Sequence, residues 1–369
     1  MRRGTVSGLV VLLTLAACTA PARPPAAPPA AAAAEPSAPA GTLEAVIAAA
    51  RQEGELTILA PLAGSSESVP RWGEGANRAY GLNLDVRYTP APAMPELMNR
   101  LIQEQQSGRP ASTDVFIGSS EHVVPMMRAN ALEAVDWAAW APNVQDPRLV
   151  APQGVAVQLA ARAPGITYNL NRVRDVPTSL ADLLQPQYKG RIASTPYAAH
   201  FDKLSSPELW GEERTKEYVT RLAQQIAGVL RCSELDRIAS GEYDLFAIDC
   251  GAEWRSAAAK GAPLGHVIPA DAALLVYWYV GVPKNAPHPN AAKLFINYML
   301  GREGQDILFD TELVDHPLVA GSKSASEIEA LQARGVRPTE ADVAFYQRND
   351  DKLLEQTAAE LQRILQKQQ

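Results

Sequence analysis

Five histidines, three cysteines and a recurring set of serine- and glycine-rich loops are the residues of this 369-residue chain with chemistry to offer. The histidines, at 122, 200, 266, 288 and 316, are scattered along the chain. No G-x-S-x-G turn, H-E-x-x-H helix, G-x-x-x-x-G-K-[ST] loop or G-x-G-x-x-G turn is present, so no nucleophile–base pair or phosphate cradle is visible. What recurs is an apolar run that ends in small or polar residues. The first ends in Ala60 to Ser66 and another in Gly118-Ser119-Ser120. Three more end in Ser194-Thr195-Pro196-Tyr197, Arg231-Cys232-Ser233 and Asp249-Cys250-Gly251. Backbone N–H groups and hydroxyls in such loops hold polar or anionic groups without transforming them. Five loops of this kind point to a ligand cleft. Its expected contacts are Ser65 and Ser119 from the first half, and Thr195, Tyr197, Arg231 and Asp249 from the second. Arg231 offers a fork to a carboxylate or phosphate, and Asp249 suits an amine. The expected ligand is therefore a small polar or zwitterionic organic molecule, the alternative for either residue being a structural salt bridge.

The elements that would position these loops alternate. "ELTILA" (55–60), "LNLDVRY" (82–88) and "DVFIGSS" (114–120) read as strands, with helical patterns over 66–80 and 94–108 between them. A second series follows: strand-like runs in 154–170, at 226–230, 243–249 and 264–270, with helices at 212–225, 233–241 and 252–261. Strand then alternates with helix once more in 274–282 and 288–301, and 339–366 reads as one polar amphipathic helix. Such alternation predicts an α/β fold with parallel strands and ligands beyond the carboxyl ends of the strands. Tyr277 and Tyr279 share one face of the 274–282 strand and read as core.

The N-terminus has a different logic. Arg2 and Arg3 precede an apolar run over 5–17, then Leu15-Ala16-Ala17 leads into Cys18. This is the layout of an export signal, and the run is shorter than the about 20 residues that span a bilayer. Leu-Ala-Ala-Cys also resembles the bacterial lipobox, which implies cleavage after residue 17 and lipidation of Cys18. Residues 19–40 are almost entirely Ala and Pro, with no large apolar side chain to offset the entropy of ordering. They read as a stalk between an anchor and a folded body.

That body, from residue 41, belongs to a chain that is 47% hydrophobic and 20% charged, enough for a sizeable core. A formal net charge of −7, made more negative by losing Arg2 and Arg3, argues against nucleic acid and against anionic lipid surfaces. Two cysteines remain after Cys18. They are too few for a zinc framework, and in an exported protein they are expected to pair as a Cys232–Cys250 disulfide, two buried thiols being the alternative. Neither a metal nor a cofactor is expected.

Several segments together resemble the bacterial extracellular solute-binding proteins of ABC importers, in the ferric-iron/thiamine/spermidine-like branch. They are "EGELTILAPL", "STDVFIGSS", "APGITYNLNRV", "PTSLADLLQPQYKGRIAST" and "APHPNAAKLFINYMLGREGQDIL". The resemblance runs over roughly 50–325, and the stretch from Leu180 to Ile192 is its most discriminating piece. It implies a type II two-lobe fold of the periplasmic-binding-protein kind, with a hinge, an interlobe ligand cleft and no enzymatic activity. The expected organisation is signal 1–17, anchor and linker 18–40, first lobe 41–160 plus 276–369, and second lobe 161–275. The partners implied are a small solute and an ABC permease, with the protein a monomer held to the membrane in the cell envelope. A sensing receptor is the alternative role, and an exported enzyme the other class. Ferric-ion binders of the branch place two adjacent tyrosines after the strand that corresponds to "YDLFAID". Cys250-Gly251 stands there instead, which speaks against iron, because Fe³⁺ prefers hard oxygen donors such as phenolate.

Overall fold

The computed structural model describes residues 41–366, except 92 and 198. The export signal, Cys18 and the Ala/Pro-rich linker lie outside the described residues.

In the first lobe, β1 (Glu55–Ala60) pairs in parallel with β2 (Asp85–Pro90). β1 alternates, burying Leu56, Ile58 and Ala60 on one face. β3 (Phe116–Ser119) and β4 (Val157–Arg162) follow, and the chain then crosses into the second lobe. There β5 (Ile166–Asn169), β6 (Ile192–Ser194), β7 (Ile226–Val229), β8 (Leu245–Phe246) and β9 (Leu264–Val267) form one sheet in the order β7-β6-β8-β5-β9. The chain returns through 268–273 to β10 (Leu274–Gly281) and later β11 (Thr339–Ala341).

β10 is the spine of the first lobe. It runs antiparallel to β3 and β4 and parallel to β11, and all eight of its residues are buried. The expectation of parallel strands therefore holds only in part. β1–β2, β6–β7 and β6–β8 are parallel, whereas the strands that enter and leave the second lobe, β5 and β9, pair antiparallel. A strand that arrives from the other lobe without a crossover helix is free of the parallel constraint. Asp114 knits the β1 edge to the rest of the first lobe. Its carboxylate accepts from Thr57 N–H at 2.7 Å and from His288 N–H at 2.8 Å, and its own N–H donates to Thr57 O.

The first-lobe core includes Trp72 edge-on to Phe295, with Trp137, Ile58 and Val280. The second lobe packs Phe201, Tyr188, Leu183 and Leu245. Leu361 and Leu365 belong to that second core, because the C-terminal helix Asp351–Gln366 lies on the helices Phe201–Leu204 and Glu212–Ala223. Two expectations are corrected here. The stretch 339–366 is not one helix: β11 and the helix Val343–Arg348 end at Asn349, before the last helix begins. The tail is not held by the first lobe alone: Leu354, near the start of the last helix, packs in the first-lobe core, while Leu361 and Leu365 pack in the second, so this helix makes a third crossing.

Candidate solute cleft

The two lobes enclose a cleft of about 1050 Å³. The first lobe contributes the loop Pro61-Leu62-Ala63 that follows β1, and Asp310 to Leu313. The second contributes Cys232 and Ser233 after β7, and Glu253, Ser256 and Lys260 on or just beyond the helix Glu253–Ala259. Arg162, the last residue of β4, lies where the chain leaves the first lobe, and it lines the cleft beside Trp278.

Arg162 stands out. Its guanidinium lies 4.7 Å from the Trp278 ring centroid, stacked on an aromatic face. Its Nε is buried without a hydrogen-bond partner, and its charge reaches the Glu312 carboxyl, whose pKa burial raises and this charge helps to lower. Further along the interlobe seam, Lys203 of the second lobe approaches Glu121 and Tyr346 of the first. Its ammonium is 5.9 Å from the Tyr346 ring centroid and 3.2 Å from Asp202. Burial opposes ionisation of Glu121, but Lys203, His122 and hydroxyl donors outweigh it and hold the carboxyl at about 2. His200 is pushed well below its ordinary range by burial, then by Lys203 and Arg162. The opposite polarity lies at Glu312 and Glu253, one on each wall. Burial raises the Glu312 carboxyl and the Glu253 charge adds to this, although Gly64 N–H donates to Glu312 at 2.6 Å.

The expected contact residues divide. Tyr197 is 43% exposed, and its hydroxyl reaches Cys232 Sγ at 3.0 Å. Cys232 and Cys250 are joined as a disulfide, with Cα atoms 5.9 Å apart. Arg231 is exposed on the rim, its N–H donating to Glu234 Oε2 at 2.6 Å, while its neighbour Cys232 lines the cleft. Ser119 is half-buried, with its hydroxyl 2.7 Å from His122 Nδ1 at the start of the helix Ser120–Arg128.

Three of the expected contacts are structural instead. Ser65 is fully buried as the first residue of the helix Ser65–Tyr80. Thr195 is fully buried, and its Oγ1 accepts from Ala199 N–H at 2.8 Å, closing its own loop. Asp249 is 3% exposed and accepts from Gly165 N–H at 3.0 Å, Gly251 N–H at 2.9 Å and the Thr167 hydroxyl. His266 stands 3.3 Å away. Burial disfavours the Asp249 carboxylate, but His266 and these donors more than compensate and lower its pKa. This carboxylate braces the crossing at Pro164-Gly165 and has no capacity left for a solute amine. Tyr277 and Tyr279 pack in the first-lobe core, as read from the sequence.

The family model for the bacterial extracellular solute-binding proteins matches residues 112–331. The chain belongs to that family. It is 26% identical over 277 residues to a Fe(3+)-binding periplasmic protein of Serratia marcescens, covering 72% of this chain and 79% of that one. In fold it matches iron-bound HitA from Pseudomonas aeruginosa, with a TM-score of 0.65 at 16% identity, over 83% of this chain and 99% of that one. It likewise matches AgtB from A. tumefaciens in complex with agropinic acid, with a TM-score of 0.64 at 18% identity, over 85% and 99%. The two-lobe solute-binding fold follows, and with it a protein that captures solutes for import rather than an enzyme. The family is extracellular or periplasmic, and no helix among the described residues is long and apolar enough to cross a membrane.

Arg162 and the Glu253–Glu312 pair escaped sequence reading. Arg162 sits in a run legible mainly for its strand pattern. The signal that could have found it is a lone charge in "AVQLAARAPG", immediately before a Pro-Gly break between lobes.

Proposed function

We propose that this solute-binding protein captures a small organic zwitterion between its lobes and hands it to an ABC permease. The observation that carries the reading is Arg162. A guanidinium with a buried, unpaired donor on the cleft floor is costly alone, and a carboxylate or phosphate on the solute would relieve that cost. Glu253 and Glu312 would face the solute's cationic end. The relatives named for Fe(3+) and the neighbour holding agropinic acid show that the fold serves both metal and organic cargo. The residues here favour the organic kind. A disulfide and Gly251 follow β8, where adjacent phenolates would suit Fe³⁺. Closure would bend the crossings at 163–165 and 268–273.

Native mass spectrometry of freshly purified protein should reveal a bound organic molecule bearing an acidic and a basic group. Arg162→Ala should weaken its binding by about tenfold or more, with the fold intact by circular dichroism. Iron as the co-purifying species, or wild-type affinity in the variant, overturns the reading. We also propose that Cys18 is lipidated and that residues 19–40 let the body reach the permease as a monomer. Cys18→Ser should then move the protein from the membrane to the soluble fraction, and retention on membranes after a salt wash refutes the anchor.

A further inference from the structure

The Cys232–Cys250 bridge occupies an unusual place in its sheet. Cys232 follows β7 and Cys250 follows β8, but these strands are not neighbours, because β6 lies between them. Two strand spacings amount to roughly 10 Å. The Cα atoms nevertheless stand 5.9 Å apart, so both loops lean inward over the end of β6. The loop that leaves β6 supplies Tyr197, whose hydroxyl is 3.0 Å from Cys232 Sγ and accepts from Cys232 N–H at 3.4 Å. A disulfide sulfur carries no hydrogen, so the phenol is the donor to it. Three consecutive carboxyl-end loops thus meet at one covalent point.

This point is part of the cleft and is tied to the hinge. Cys232 and Ser233 line the cleft on one side of the bridge, and Ala252 and Glu253 on the other. Asp249, beside Cys250, receives Gly165 N–H from the crossing. Gly251, at φ +94°, packs so closely on Arg162–Pro164 that a Cβ there would come within 3.1 Å of Arg162 Cβ and Pro164 N. The strands beneath are short, two residues in β8 and three in β6, and their ladder bonds alone leave the loops weakly held.

We propose that the Cys232–Cys250 disulfide is a redox-sensitive clamp that assembles the second-lobe wall of the cleft and holds the Arg162 crossing in place. A dithiol reductant opens it. The reductant's two thiols become its own disulfide, and two electrons and two protons pass to the Cys232 and Cys250 sulfurs, giving two cysteine thiols. The three loops and the crossing then move independently, and the solute wall is lost while the first lobe stays folded. The inference does not depend on which solute is bound.

Hydrogen–deuterium exchange of the whole protein tests it without any solute, comparing the oxidised form with protein treated with dithiothreitol. Exchange should rise by about tenfold or more in 195–200 and 163–166, which contain no cysteine, together with 230–235 and 248–254. β1, β3 and β10 should not change. Tyr197→Phe, with the disulfide intact, should raise exchange in 195–200 alone. A native bridge that resists dithiothreitol overturns its redox sensitivity, and the C232S/C250S double variant checks the clamp itself, which should show the same rise in exchange. If that variant does not fold, partial unfolding in urea under reducing conditions gives the reading. A response confined to 230–235 and 248–254, a uniform rise across both lobes, or two free thiols in protein purified without reductant would each overturn the clamp.

Discussion

The two walls of the cleft are held by different means. On the first-lobe wall, the loop after β1 rests on long helices and on β10, all eight of whose residues are buried. A single carboxylate bond, Gly64 N–H to Glu312, pins it from the side. On the second-lobe wall the supporting strands are two to four residues long, and the loops are fastened by a disulfide, a phenol and the Asp249 carboxylate. Where a large apolar core stands behind a loop, packing orders it. Where the sheet is small, directional and covalent bonds at its edge must do so. The loops of the second wall should therefore loosen when a directional or covalent bond is broken, and those of the first when the core behind them changes volume.

The largest expected effect is on the first lobe. Trp72 is fully buried, donates Nε1–H to Gly304 O at 2.8 Å and meets Phe295 edge-on. Trp72→Ala should cost about 3–5 kcal/mol in urea denaturation, through the cavity and the stranded carbonyl. A loss below about 1 kcal/mol would show that packing does not govern this lobe.

A comparable pH effect also belongs to the first lobe. His316 Nδ1 accepts from Leu318 N–H at 3.2 Å, so the ring's proton is on Nε2, which donates to Gln158 Oε1 at 2.9 Å. Burial lowers its pKa to about 4. The unfolded ring titrates near 6.5, so the neutral ring stabilises the fold fully above that pH. That contribution, up to about 3 kcal/mol, should be lost as pH falls from about 6.5 towards 4. Thermal unfolding against pH checks it: His316→Gln should flatten this window, and an unchanged slope would remove His316 as the cause.

The smallest effect sharpens the second wall. Asp249→Asn keeps an acceptor for the Gly165 and Gly251 amides but removes the charge facing His266, and should cost about 1–2 kcal/mol. Exchange at 163–166 should rise more than in the β5 core. Equal loosening of both would make Asp249 an ordinary packing residue.

Much of the fold was legible because strand and helix periodicities differ. β1 and β10 coincide closely with runs read from their apolar patterns, and strand ends located the loops that line the cleft. Side-chain direction was not legible. The loop positions of Ser65, Thr195 and Asp249 follow from the strands, but the side chains turn inward: Thr195 and Asp249 accept from nearby backbone N–H groups, and Ser65 is buried in the first turn of its helix. The division of the tail was also hidden. An amphipathic pattern records that a helix has an apolar face but not which core receives it, and Leu361 and Leu365 meet the second lobe. Arg162 went unread because its significance comes from the crossing and from Trp278, 116 positions further along the chain.

The third crossing has a practical consequence. The first described helix, Leu43–Glu53, packs on Pro289–Met299 of the first lobe, while the last, Asp351–Gln366, begins with Leu354 in the first-lobe core and ends with Leu361 and Leu365 in the second. The two ends of the folded body are thus fixed to opposite jaws. A donor dye on one of these helices and an acceptor on the other would turn jaw closure into a change of energy transfer, making the protein a reporter of its own cargo.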